Sequence, residues 1–164
     1  MSERTEILTL MSEIRASREV IDRIVRFYDA RFASQTREEN TDNAIVLAEI
    51  LSNYYTALET IFLRISRFFE NSLSPESWHK DLLSKMLIDI PETRPRVISD
   101  AGFRDLQELL RFRHFRRYYL EFDYDWRKLR LAEECFVSAR TRVASELDSF
   151  QGFLERLSQQ TGEV

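Results

Sequence analysis

Three glycines and three prolines in 164 residues leave this chain few places to turn tightly, and no other feature restricts its fold as much. A chain so thinly punctuated is built from long helices rather than many short strands. The apolar pattern agrees. Ile7, Met11, Ile14, Ile21, Ile24, Tyr28 and Phe32 recur at helical spacing and predict an amphipathic helix over 5–32. The polar stretch 33–43 reads as a loop, with Thr41 or Asp42 capping the next helix. That second helix is predicted over 43–71. Its stripe of Leu47, Ile50, Tyr54, Leu58, Ile61, Ile65 and Phe68 is widened by Leu51, Phe62 and Phe69 and so needs more than one neighbour. Ser74-Pro75-Glu76-Ser77 breaks the chain, and a short helix opens at Trp78 and ends near Pro91, where Pro91 and Pro95 bracket a turn. A fourth helix starts at Ser99 or Asp100, turns Phe103, Leu106 and Leu110 inward and runs on through 119. In the fifth, Leu129, Ala132, Phe136, Ala139, Val143, Leu147, Phe150, Leu154 and Leu157 form nearly a heptad seam. The expected fold is an all-α up-and-down bundle of four long helices and one short helix, with residues 1–164 as a single domain. Helices of this length can reach beyond one monomer's core, which suits a dimer.

A hydrophobic content of 43% is ample for a core, and a formal charge of −4 gives no global nucleic-acid signature. The single cysteine, Cys135, excludes an internal disulfide framework and reads as a small buried hydrophobe. No apolar run approaches the ~20 residues of a membrane span. The start Met-Ser-Glu-Arg-Thr-Glu lacks the basic and apolar regions of a signal peptide, so a cytoplasmic protein is expected. His79 and His114 are far apart and without cysteine company, so neither a metal site nor a cofactor is expected.

Against that acidic background, Arg111, Arg113, Arg116 and Arg117 crowd around His114, Tyr118 and Tyr119. On a helix, Arg113 shares a face with Arg117 and His114 with Tyr118, a face suited to phosphates. The blander reading pairs these arginines with Glu121, Asp123 and Asp125, or with acids on a second subunit. Glu59 either faces Arg113 or Arg117 across the bundle or faces water. His79, beside Trp78 at a helix start, reads as a packing or capping residue.

The ordered pattern Asn53-Tyr54-Tyr55, Leu58-Glu59-Thr60-Ile61-Phe62, Trp78-His79-Lys80-Asp81-Leu82-Leu83, Arg94-Pro95, Phe112-Arg113-His114 and Asp125-Trp126 resembles the HepT-like proteins of the HEPN superfamily. The resemblance spans roughly 45–130. It implies a helical bundle, usually a homodimer, acting as the toxin of a bacterial toxin–antitoxin pair whose antitoxin is a minimal nucleotidyltransferase. HepT-like toxins are metal-independent RNases. Their motif is an arginine, four residues, a histidine, one residue and a tyrosine, placed at the dimer interface, and the antitoxin silences the toxin by attaching AMP to that tyrosine. A histidine titrating near neutrality deprotonates the ribose 2′-hydroxyl while arginine holds the phosphate.

This chain departs from the pattern. The motif arginine falls on Arg113, the motif histidine on Tyr118 and the motif tyrosine on Leu120. Tyrosine, with an ordinary pKa near ~10, is a poor base at pH 7. Three readings stay open. His114 serves as base, with Arg113 and Arg117 on the phosphate, Tyr118 beside them, and Arg111 and Arg116 as further RNA-phosphate contacts. Alternatively, the chain is a catalytically inactive helical module that binds RNA or its nucleotidyltransferase, with Tyr118 or Tyr119 as AMP acceptor. In the third reading the arginines serve only a dimer interface.

Overall fold

A computed structural model describes residues 2–33, 37–70 and 78–161, without the side chains of 33 and 78–80. Five α-helices make up the all-α bundle: α1 (Glu3–Tyr28), α2 (Thr41–Glu70), α3 (Trp78–Met86), α4 (Asp100–Arg116) and α5 (Trp126–Gln160). Four are long and α3 is short, and no strand occurs among the described residues. The predicted break at Ser74–Ser77 lies outside those residues.

Helix α2 is the hub, packing on every other helix, while α1 and α4 each also pack on α5. Its broad stripe is what makes this possible: Leu47, Leu51, Tyr54, Tyr55, Leu58, Ile61, Phe62 and Ile65 are all essentially inaccessible to solvent. The α5 seam is buried from Leu129 to Leu154 as its spacing predicts. In α4 the deepest residues are Leu106, Leu109 and Phe112, whereas Phe103 and Leu110, expected inward, are half-buried. The face turned to the core is thus rotated from the expected one.

The helix ends differ from the expected ones in four instructive ways. A turn of π-helix, Asp29–Ala33, extends α1 and keeps Phe32 in the core. Helix α2 is capped by Asn40, whose side-chain oxygen accepts from the Asn43 amide at 2.9 Å, instead of by Thr41 or Asp42. Helix α3 stops at Met86, short of Pro91, because the Met86 carbonyl accepts from the Val97 and Ile98 amides of the returning chain. Helix α4 stops at Arg116, not 119: the Tyr118 amide bonds back to Phe115 and the Tyr119 amide to Arg116, in the three-residue pattern of a tightening last turn.

Two locks fix the frame. Arg94, 3% exposed, follows a tight turn with Glu92 at φ 61° and closed by paired Ile90–Arg94 backbone bonds. Its guanidinium meets the Glu70 carboxylate and the carbonyls of Lys85, Ile88 and Pro95, joining the end of α2 to α3 and the following loop. At the start of α4, Ser99 caps the helix through the Gly102 amide. The Glu146 carboxylate of α5 accepts from the Ser99 amide at 3.1 Å and contacts its hydroxyl. The other carboxylate oxygen is buried without a hydrogen bond, and a Cβ at Gly102 would approach it to 2.8 Å.

Candidate RNA-binding site at the end of α4

The basic residues gather at the carboxyl end of α4, where Arg113, His114 and Arg116 lie in the last turn and Arg117 is the C-cap. Cations are favoured there by the partial negative charge of unpaired carbonyls, so part of this concentration serves the helix itself.

Three of the four arginines are already engaged within the chain. Arg113 turns toward α2 and grips Glu59 with both arms, at 3.0 and 2.7 Å, while also donating to the Thr56 hydroxyl at 3.0 Å. Its guanidinium lies 4.8 Å from the centre of the Tyr55 ring. With side chains only 16% and 9% exposed, Arg113 and Glu59 form a largely buried two-armed pair. Burial pushes the Tyr55 phenol up from its ordinary range; the Glu59 charge adds to this and Arg113 partly offsets it. Arg116 pairs with Glu49 of α2, and Arg111 with Glu108 one turn back on α4. Burial works against the Arg116 charge, but hydrogen bonds to Glu49 and Tyr124 outweigh it and hold its pKa above the ordinary range.

The acids that hold these arginines are therefore not Glu121, Asp123 and Asp125. Asp125 instead caps α5 through the Arg127 amide and pairs with Arg127. Of the two options for Glu59, facing Arg113 is the one realised. Glu49 and Thr56 were not anticipated, although their spacing with Asn53, which donates to Glu49, marks a polar row along α2.

His114 and Tyr118 do come together, with ring centres 6.0 Å apart and edge to face, and both are exposed. Arg117 beside them is exposed and has no ion-pair partner among the described residues. Arg113 is not on that side. Consecutive helical residues diverge by ~100°, so Arg113 points into the bundle and His114 to solvent. Tyr118 is 72% and Leu120 84% exposed. Tyr119 is half-buried, with its ring 5.0 Å from that of Tyr124. The His79 side chain lies outside the described residues. Cys135 is half-buried on α5, its thiol pushed up by burial and by the nearby Asp105, Glu108 and Glu134. No group of residues suited to hold a metal ion occurs among those described, and no helix among them is long and apolar enough to cross a membrane.

The all-α bundle thus carries a largely buried arginine–carboxylate pair and, at the end of α4, an exposed His–Tyr–Arg cluster. A family model described as HepT-like protein matches residues 46–154, so the chain belongs to the HepT-like family. No curated protein and no solved structure matches it.

Proposed function

We propose that residues 1–164 form a single HepT-like HEPN domain of a bacterial toxin–antitoxin module that engages RNA phosphate at the end of α4 and cleaves RNA without a metal. The observation that carries this reading is the joint exposure of His114, Tyr118 and Arg117. Imidazole is the side chain whose ordinary titration falls between pH 5 and 8, and His114 is the histidine on this face. In the reaction, His114 takes the proton of a ribose 2′-hydroxyl, whose oxygen then attacks the adjacent phosphorus. The bond to the 5′-oxygen breaks, leaving a 2′,3′-cyclic phosphate and a 5′-hydroxyl once that oxygen gains a proton. One imidazole cannot supply that proton while it takes another, so a second copy in a homodimer, or water, provides it. Arg117 holds the phosphate. Arg113 acts as a positioning residue that fixes the last turn of α4 against α2, and Arg111 and Arg116 meet phosphate at the rim by exchanging their carboxylate partners Glu108 and Glu49 for it.

The test is incubation of the purified chain with labelled tRNA in EDTA, beside His114→Ala and Arg117→Ala. The expected outcome is cleavage that survives EDTA and falls at least ~100-fold in His114→Ala, the scale of a lost general base. Cleavage unchanged in both variants overturns the site.

A second reading has its own support. With Arg111, Arg113 and Arg116 neutralised by Glu108, Glu59 and Glu49, little free positive charge remains. That suits a catalytically inactive module docking its nucleotidyltransferase antitoxin. RNA binding without turnover by a well-folded chain would favour it. In either reading Tyr118 is the AMP acceptor preferred over Tyr119, because its ring is exposed while that of Tyr119 packs on Tyr124. Incubation with the cognate nucleotidyltransferase and ATP should label the wild type and Tyr119→Phe but not Tyr118→Phe.

A further inference from the structure

The side of α4 that meets α5 carries a narrow slot of about 180 Å³ next to the exposed cluster. Phe112, Phe115 and Tyr119 wall it from α4 and the turn after it, and Leu131 and Ala132 wall it from α5. Spacings of three and four set those three rings along one side, and Ala132 contributes only a methyl group to the other. Phe115 is 46% and Leu131 51% exposed, apolar surface at the mouth of the slot that core packing does not explain. Two cations rim it. The Lys128 ammonium sits 4.9 Å from the centre of the Phe115 ring and has no ion-pair partner among the described residues. Arg111 pairs with Glu108, which also lines the slot. The slot adjoins the candidate site through Phe115, whose ring centre lies 6.3 Å from that of His114.

We infer that this slot receives one unpaired nucleobase of the RNA, stacked on Phe115 with the flanking phosphates on Lys128 and Arg111. The inference rests on the RNA reading and gives it a substrate class. Pockets for whole small ligands run from ~300 Å³ upward, so a slot of this size admits a single planar ring and not a complete nucleotide. An aromatic wall holds such a ring by its face, whichever base it is. The two cations favour a ring that arrives attached to phosphate over an apolar side chain of a protein, which gains nothing from them. Glu108, released when Arg111 turns to phosphate, is left as the acceptor for a base N–H. A base seated here leads its ribose past Phe115 toward His114, which sets whose 2′-hydroxyl meets the imidazole. A base inside a duplex is stacked on both faces and paired along its edge, so the slot selects single-stranded loops and ends.

The test is binding of a short fluorescent RNA, 2′-O-methylated so that no 2′-hydroxyl can attack, to the full chain over a range of salt concentrations. Phe115→Leu keeps apolar bulk and removes the ring, whereas Phe115→Tyr keeps the ring. Phe115→Leu should bind roughly tenfold more weakly with its salt dependence unchanged, and Phe115→Tyr should match the wild type. Lys128→Ala should instead lower the slope of log affinity against log salt by about one. The wild type should prefer the single strand to a duplex of the same sequence. Equal affinity of Phe115→Leu and wild type, or equal affinity for strand and duplex, overturns the base slot and leaves the RNA reading standing. An unchanged slope in Lys128→Ala overturns the phosphate contact. Failure of the wild type to bind overturns the RNA reading, and the base slot falls with it. A change of mass in solution on Phe115→Leu, measured by light scattering, would mean that the slot packs on a second copy and also overturns the proposal.

Discussion

Replacing the Glu59 carboxylate by an amide would leave the Arg113 guanidinium, with only 16% of its side chain exposed, facing a neutral partner. Breaking a buried pair from one side typically costs about 3 kcal/mol or more, because the remaining charge is stranded. Glu59→Gln should therefore lower the unfolding free energy by about 3 kcal/mol in urea titrations. Arg111→Ala, which breaks a pair whose arginine is 57% exposed, should cost less than ~1 kcal/mol. Equal losses would contradict the distinction drawn between them. The sequence made the crowd of arginines obvious but not their partners. Sequence proximity favours Glu121, Asp123 and Asp125, whereas the partners Glu49 and Glu59 come from a helix more than fifty residues earlier, and only the packing angle of α4 on α2 selects them. Glu59 was half legible because a carboxylate inside a wide apolar stripe requires a cation opposite.

Among the elements, the short connection after α3 depends on one buried guanidinium. Arg94→Ala removes the buried cation that meets Glu70, leaving it Lys85 and the Ser66 hydroxyl, and takes the guanidinium from the carbonyls of Lys85, Ile88 and Pro95. We expect a loss of about 3 kcal/mol or more, with hydrogen exchange quickening first in α3 and the end of α2. Uniform exchange across the bundle would contradict a local lock. Arg94-Pro95 thus has a structural role, tying the end of α2 to α3 and the loop after it. Asn40→Ala should cost about 1 kcal/mol through loss of the α2 cap, measured the same way. Helix existence was readable because apolar spacing persists over many turns. Helix ends were not, since they depend on which carbonyl the returning chain reaches. The Met86 carbonyl is claimed by residues eleven and twelve positions later, and the Phe115 carbonyl by the Tyr118 amide, which no periodicity records.

At the scale of the whole molecule, three phenols are held neutral by burial. Burial first, then the hydrogen bond to Glu133, pushes Tyr28 up to about 12, and burial raises Tyr54 and Tyr55 further. An unfolded tyrosine ionises near ~10. Because the folded values are raised, this contribution to stability is complete below pH ~10 and is lost as the pH climbs through that value toward 12 and above. The melting temperature should fall steeply over that window. Tyr28→Phe should soften the slope, and tyrosinate absorbance should show these rings titrating late or only with unfolding. Full ionisation near pH 10 in a folded chain would contradict their burial. The bundle architecture stems from scarce breakers and long stripes, but the slot between α4 and α5 does not, because exposed and buried members of one stripe look alike until the neighbouring helices are in place.

Gly102 gives the Glu146 carboxylate a seat. Glu146 of α5 reaches the Ser99 cap over a residue with no side chain. A methyl group at Gly102 would come within 2.8 Å of the free end of the Glu146 side chain, which swings aside more readily than a helix does. The substitution would thus unhook α5 from the start of α4 while leaving the basic cluster, on the order of 16 Å further along the helix, where it is.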